Sequence, residues 1–159
     1  MTTRREFLRT ATAAAAAAAM PIPLVHAAGS DVLRVGLIGC GGRGTGAAEQ
    51  ALKADPNVKL VAMGDAFENR IKSSLAQLRQ AVADKVDVKE DQCCVGFDAY
   101  KHVIAASDVV LLCEPPHFRP SHLKAAIEAG KHVFAEKPVA VDGPGVRSVL
   151  ATCEEARKK

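Results

Sequence analysis

The 159-residue sequence contains no tryptophan, one tyrosine and five phenylalanines. Few flat side chains are therefore available for stacking on bases. No basic stripe follows residue 30, so the composition speaks against nucleic-acid binding. The formal net charge is +3, and the first 27 residues, with three arginines against one glutamate, hold +2 of it. The apparent basicity belongs to this leader. Cysteines are few and odd in number: Cys40, Cys93, Cys94, Cys113 and Cys153. No pair has zinc-ligand spacing, and the adjacent Cys93 and Cys94 would point to opposite faces of a strand. They are read as small buried apolar residues, with neither a disulfide framework nor a metal site. The apolar run from Ala11 to Met20 is too short to span a bilayer comfortably, so no stable membrane anchor is expected. What is present suits one globular domain with a buried core: 48% hydrophobic and 25% charged residues.

The leader reads TTRREFLRTATAAAAAAAMP at residues 2–21. Arg4-Arg5, the Phe7-Leu8 step, Arg9 and the alanine run come in the order of a twin-arginine export signal. Pro21 and Pro23 break any helix, and Val25-His26-Ala27 offers small residues for cleavage. Residues 1–28 are expected to be a signal peptide detached from the fold and read by the twin-arginine translocase. The product would be exported, periplasmic or extracytoplasmic. That route resembles one for proteins that fold, often around a cofactor, before crossing the membrane. The competing reading is a plain alanine-rich helix, since alanine is the best helix former.

From residue 31 to 159 strand and helix signals alternate. Leu33 to Gly39 is a branched apolar run ending in glycine, as in a buried strand. Strands are also expected at Val58 to Met63, Gln92 to Phe97, Asp108 to Cys113 and His132 to Ala135. Helices are expected at Thr45 to Ala54, Glu68 to Ala83, Ala99 to Ala106, Ser121 to Ala129 and Pro144 to about Lys159. Ile71, Leu75, Leu78 and Val82 share one helical face. Such alternation implies an α/β fold, a doubly wound and mostly parallel sheet covered on both faces.

Gly39-Cys40-Gly41-Gly42-Arg43-Gly44 matches G-x-G-x-x-G and stands between the first strand and the first helix. Gly39 permits the tight turn, Gly41 lets a pyrophosphate approach, and Gly44 lets helix and strand pack closely. Free N–H groups and the positive helix end attract phosphates. Gly42 and Arg43 complete this candidate cofactor loop. Asp65 lies 21 residues after Gly44, where a carboxylate accepts hydrogen bonds from an adenosine ribose. It would repel a 2′-phosphate, so NAD is favoured; the nearby cation Arg70 keeps NADP open.

The stretch VVLLCEPPHFRPSHLKAAIEAGKHVFAEKPVA at residues 109–140, with VGLIGCGGRGTGAA and GDAFENR, resembles the Gfo/Idh/MocA oxidoreductases. That family includes glucose–fructose oxidoreductase and inositol dehydrogenase. The resemblance runs from about Leu33 to the chain end. It implies a Rossmann dinucleotide-binding domain and a nicotinamide dinucleotide as partner. It places Lys137 by the substrate hydroxyl and the nicotinamide, as a catalytic and cofactor-contacting residue, and Glu136 by the nicotinamide ribose. It also implies a cis peptide before Pro138. Cys113, Pro115 and His117, at the end of the fourth strand, are further candidate cofactor contacts. Many members carry Thr-Pro-Asn and then a His here, whereas this sequence has Glu114, Pro115, Pro116 and Arg119. Glu114 puts a charge where a neutral hydroxyl is usual, which implies altered cofactor affinity. His117 and His122 are read as loop or helix-cap residues, with His117 also a pocket candidate.

Family members add a second α/β domain that supplies the substrate pocket and a base. Against that pattern this chain reads as a fragment, catalytically incomplete alone, because hydride transfer needs a held substrate and a positioned base. The resemblance implies a sugar or cyclitol hydroxyl as substrate of the full-length protein, and a homo-oligomer formed through the further domain. An NAD-dependent glycosidase of the same superfamily and a non-catalytic dinucleotide-binding module remain the alternatives.

Overall fold

The computed structural model describes residues 32–158, so the leader lies outside the described residues. Five strands, β1 (Leu33–Ile38), β2 (Val58–Asp65), β3 (Cys93–Val95), β4 (Val109–Leu112) and β5 (His132–Ala135), alternate with five helices. The helices are α1 (Gly42–Ala54), α2 (Glu68–Ala81), α3 (Ala99–Ala106), α4 (Arg119–Glu128) and α5 (Gly143–Ala156). All strand pairs are parallel and the order is β3-β2-β1-β4-β5, the expected doubly wound arrangement. The chain order reverses between β1 and β4, where open α/β sheets place their ligand crevice.

Strand alternation builds two cores. Val35 and Leu37 of β1 join Leu52 of α1, Leu60 of β2, and Ile71 and Leu78 of α2 on one face. Ile38 joins Val103 of α3, Leu112 of β4, Leu123 of α4 and Val149 of α5 on the other. In β2 the register against β1 slips by one residue, Val35 pairing Leu60 and Gly36 pairing Ala62. The slip leaves Val61 as an extra residue and breaks the strict period of two. Leu60 and Ala62 thereby serve opposite cores.

Several boundaries differ from the sequence expectation. Strand β2 runs on to Asp65, because Met63, Gly64 and Asp65 gain β3 as a pairing partner. Helix α1 begins at Gly42, inside the glycine loop, and α4 begins at Arg119, with proline in its first turn where a missing N–H costs nothing. Helix α2 stops at Ala81, and a short 3₁₀ turn, Ala83–Lys85, follows. The cysteine reading needs correction: Cys40 is buried, Cys93, Cys94 and Cys113 are half-buried, and Cys153 lies exposed on α5. The helical spacing of α5 turns residue 153 outward while Val149 and Thr152 face inward.

Candidate functional site

At the carboxyl ends of all five strands the loops line a cavity of about 560 Å³. That is the volume of a ligand pocket. Its floor is the glycine loop. Gly39 has φ +90°, a left-handed conformation that glycine adopts without cost. A Cβ there would stand 2.4 Å from the Glu114 nitrogen, so only glycine lets β1 turn this close to β4. At Gly44 a Cβ would meet the Gly39 carbonyl oxygen at 1.8 Å. Backbone contact at this point fixes the angle at which α1 leaves the sheet.

Helix α1 starts with no side-chain cap and no acidic residue in its first turn. Its first intrahelical bond runs from the Thr45 N–H to the Gly41 carbonyl. The N–H groups of the residues before Thr45 lie in the first turn, where no helical acceptor exists. They point outward at the positive end of the helix dipole, a site that favours an anion. The residues present therefore fit the pyrophosphate of a dinucleotide.

Asp65, at the end of β2, faces the same cavity. Its Oδ2 accepts the Cys40 N–H at 2.8 Å and its Oδ1 the Phe67 N–H at 3.0 Å. One carboxylate thus ties the glycine loop to the start of α2 while further lone pairs remain for a ligand. Phe67 and Phe97 are exposed at this end, and the Arg70 guanidinium lies 5.7 Å from the Phe67 ring centre.

At the opposite end, the Arg43 Nη2 donates to Glu136 Oε1 in an ion pair. That guanidinium holds the Glu136 carboxyl below the usual carboxylate range. The Glu136 N–H donates to the Leu112 carbonyl at 3.0 Å, which anchors the β5 loop beside β4. Lys137 lines the cavity next in sequence, and the Lys137–Pro138 bond is cis, as the resemblance implied. Cys113 is pushed up to about 11 by burial and by the Glu136 and Glu114 carboxylates, so it stays a neutral thiol.

The cavity brings together Gly39, Gly41, Arg43, Asp65, Arg70, Cys113, Pro115, Glu136 and Lys137. Gly42, Gly44 and His117 are not in its lining. Gly42 and His117 are exposed, His117 standing edge-on to Phe118, and Gly44 is buried under the loop. His122 is neither loop nor cap: it sits inside α4, buried and stacked on Tyr100 with ring centres 4.1 Å apart. The sequence reading also missed the aromatic lining of Phe67, Phe97, Tyr100 and Phe118. Glu114, read as an altered contact, is buried together with Arg119 and His122. The Glu114 Oε1 lies 3.8 Å from Arg119 Nε and 3.6 Å from His122 Nδ1, beyond hydrogen-bond length. A charge five and eight residues before an arginine and a histidine was the available signal, and it needs the turn into α4 to become a cluster.

Comparison with known proteins agrees with this geometry. The chain is 32% identical over 124 residues to inositol 2-dehydrogenase from Cereibacter sphaeroides, which covers 78% of this chain and 33% of that protein. It is also 32% identical over 132 residues to glycosyl hydrolase family 109 protein 1 from Bacteroides fragilis, covering 80% of this chain and 27% of that protein. The chain thus spans about a third or less of the length of these curated relatives. Among solved structures, KijD10, a 3-ketoreductase from Actinomadura kijaniata in complex with NADP, superposes with a TM-score of 0.58 at 26% identity. The superposition covers 79% of this chain and 36% of that one. Residues 33–159 match the Gfo/Idh/MocA oxidoreductase family with its NAD-binding Rossmann fold, and the chain belongs to that family.

Proposed function

We propose that this chain is the dinucleotide-binding part of an enzyme that moves hydride between a sugar or cyclitol hydroxyl and a nicotinamide cofactor. One observation carries the reading: the glycine loop, Asp65 and Lys137 line one cavity at the switch point of the sheet. The relatives named inositol 2-dehydrogenase and 3-ketoreductase support the substrate class. When bound, the nicotinamide supplies the hydride acceptor or donor.

The chain's own residues have distinct tasks in this reading. The free N–H groups of α1 hold the pyrophosphate, and Asp65 accepts from the adenosine ribose. The Phe67 ring and the Arg70 guanidinium offer a flat face for adenine. Glu136, fixed by Arg43, faces the nicotinamide ribose. The Lys137 ammonium donates a hydrogen bond to the substrate oxygen and stabilises charge as the C–H bond breaks. Asp65 disfavours a 2′-phosphate, whereas Arg70 is placed to accept one, so NADH binds more tightly than NADPH and both bind. The test is a fluorescence titration of the chain with each cofactor. Lys137→Ala leaves NADH binding within about threefold, under 1 kcal/mol, because lysine serves the substrate. Loss of NADH binding in that variant overturns the assigned role.

The glycosyl hydrolase family 109 relative supports a second reading, in which the same site oxidises a sugar transiently to ease loss of its leaving group. A protein carrying this domain together with a substrate domain separates them. Net NADH release favours the dehydrogenase, and turnover of tightly held cofactor favours the glycosidase.

Export by the twin-arginine route is proposed from the order of Arg4, Arg5, Phe7, Leu8 and the alanine run. A reporter fused behind residues 1–30 should lose export when Arg4→Lys and Arg5→Lys are combined; export that survives returns the segment to a plain helix.

A further inference from the structure

Three consecutive residues, Glu136, Lys137 and Pro138, follow β5, and both neighbours of Lys137 are gripped by an arginine from a different helix. On one side Arg43 of α1 binds the Glu136 carboxylate. On the other, Arg119 at the start of α4 donates from Nη1 to the Pro138 carbonyl and from Nη2 to the Glu114 carbonyl. Arg119 is 2% exposed. Its guanidinium is planar, with donors in a fixed fork, so one side chain spans two backbone carbonyls from two different loops. Those loops are the ones that leave β4 and β5 at the cavity.

We infer that Arg119 is the positioning residue for Lys137: it clasps the β5 loop to the β4 loop and so fixes where the ammonium stands. The inference rests on the proposed role of Lys137 at the substrate. Two points separate this role from simple core filling. The bonds go to backbone carbonyls of the cavity loops. The Glu114 carboxyl, although buried beside Arg119, lies at 3.8 Å from Nε and takes no part in the clasp. Lysine at position 119 keeps a cation near Glu114 but loses the fork.

The test uses the full chain with its lysines ¹³C-methylated, and the Lys137 resonance identified by its loss in Lys137→Arg. In Arg119→Lys the Lys137 resonance moves and its response to NADH falls, while NADH affinity stays within about threefold, since the glycine loop and Asp65 are untouched. Glu114→Gln keeps both carbonyl bonds and leaves the Lys137 resonance in place. An unmoved Lys137 resonance in folded Arg119→Lys, or an equal movement in Glu114→Gln, overturns the inference. Should Arg119→Lys fail to fold, the wild-type chain decides. Scalar coupling from the Arg119 Nη atoms to the Glu114 and Pro138 carbonyl carbons supports the clasp, and free rotation of the guanidinium without such coupling refutes it. If wild type binds no NADH, the proposed function fails, yet the ligand-free Lys137 resonance still tests the clasp.

Discussion

Gly42 and Gly44 stand two residues apart in one loop and differ completely in what surrounds them. A Cβ at Gly44 would lie 1.8 Å from the Gly39 oxygen, whereas a Cβ at Gly42 meets nothing within 4 Å. Gly44→Ala therefore costs about 1–3 kcal/mol of stability as backbone is forced apart, and it distorts the phosphate cradle. Gly42→Ala leaves stability within about 1 kcal/mol of wild type, because alanine is the better helix former. Thermal unfolding of the two variants checks both statements. Asp65→Ala should weaken NADH about tenfold or more, the scale of a lost charge-assisted hydrogen bond. It also frees the Cys40 N–H, so the loss includes some disorder of the loop. The cysteines give a third outcome. Iodoacetamide at neutral pH should label exposed Cys153 well before Cys113, whose thiol is held up to about 11; peptide mass spectrometry reads the order. At this scale the glycines and Asp65 were legible, because each position demands one residue type for a local reason. Phe67, Phe97 and the buried group of Glu114, Arg119 and His122 were not. Phe67 meets Arg70 of α2, Phe97 meets Phe118 beside α4, and His122 stacks on Tyr100 of α3; packing alone brings the last two pairs together.

The elements themselves were mostly legible, since periods of 2 and 3.6 set them directly. Strand β5 and helix α3 have the expected ends. Some misplaced features have tertiary causes: Asp65 at the end of β2 pairs only with β3, and the register slip at Val61 has no trace in the apolar pattern. One pair ties two neighbouring elements at their start. Asp108, before β4, accepts the Arg34 N–H at 3.0 Å and Nε at 3.1 Å on Oδ2, and Nη2 at 2.7 Å on Oδ1. These bonds, led by the Arg34 side chain, lower the Asp108 carboxyl from its usual value. A carboxyl lowered on folding contributes stability above its unfolded pKa and loses it as pH falls through the folded value. Because both side chains are partly exposed, solvent screens the pair and its worth is about 1 kcal/mol or less. Asp108→Asn should lower the melting temperature at pH 7, and the difference from wild type should close at strongly acidic pH.

For the whole molecule, the proposed reading makes a single dinucleotide site from the loops at one sheet edge. In that reading the β1 and β2 loops would supply the phosphate and ribose half, and the β4 and β5 loops the nicotinamide half. Both halves are held by named bonds: Asp65 to Cys40 on one side, Arg43 to Glu136 and Arg119 to Pro138 on the other. Binding of cofactor to this folded unit must raise its stability by mass action. The most direct measurement is calorimetric titration of the chain with NADH, alongside Asp65→Ala. The expected result is one site per chain, a rise in melting temperature at saturating NADH, and a loss of about tenfold or more in the variant. Absence of NADH and NADPH binding by the folded wild-type chain, or equal affinity in Asp65→Ala, would contradict it.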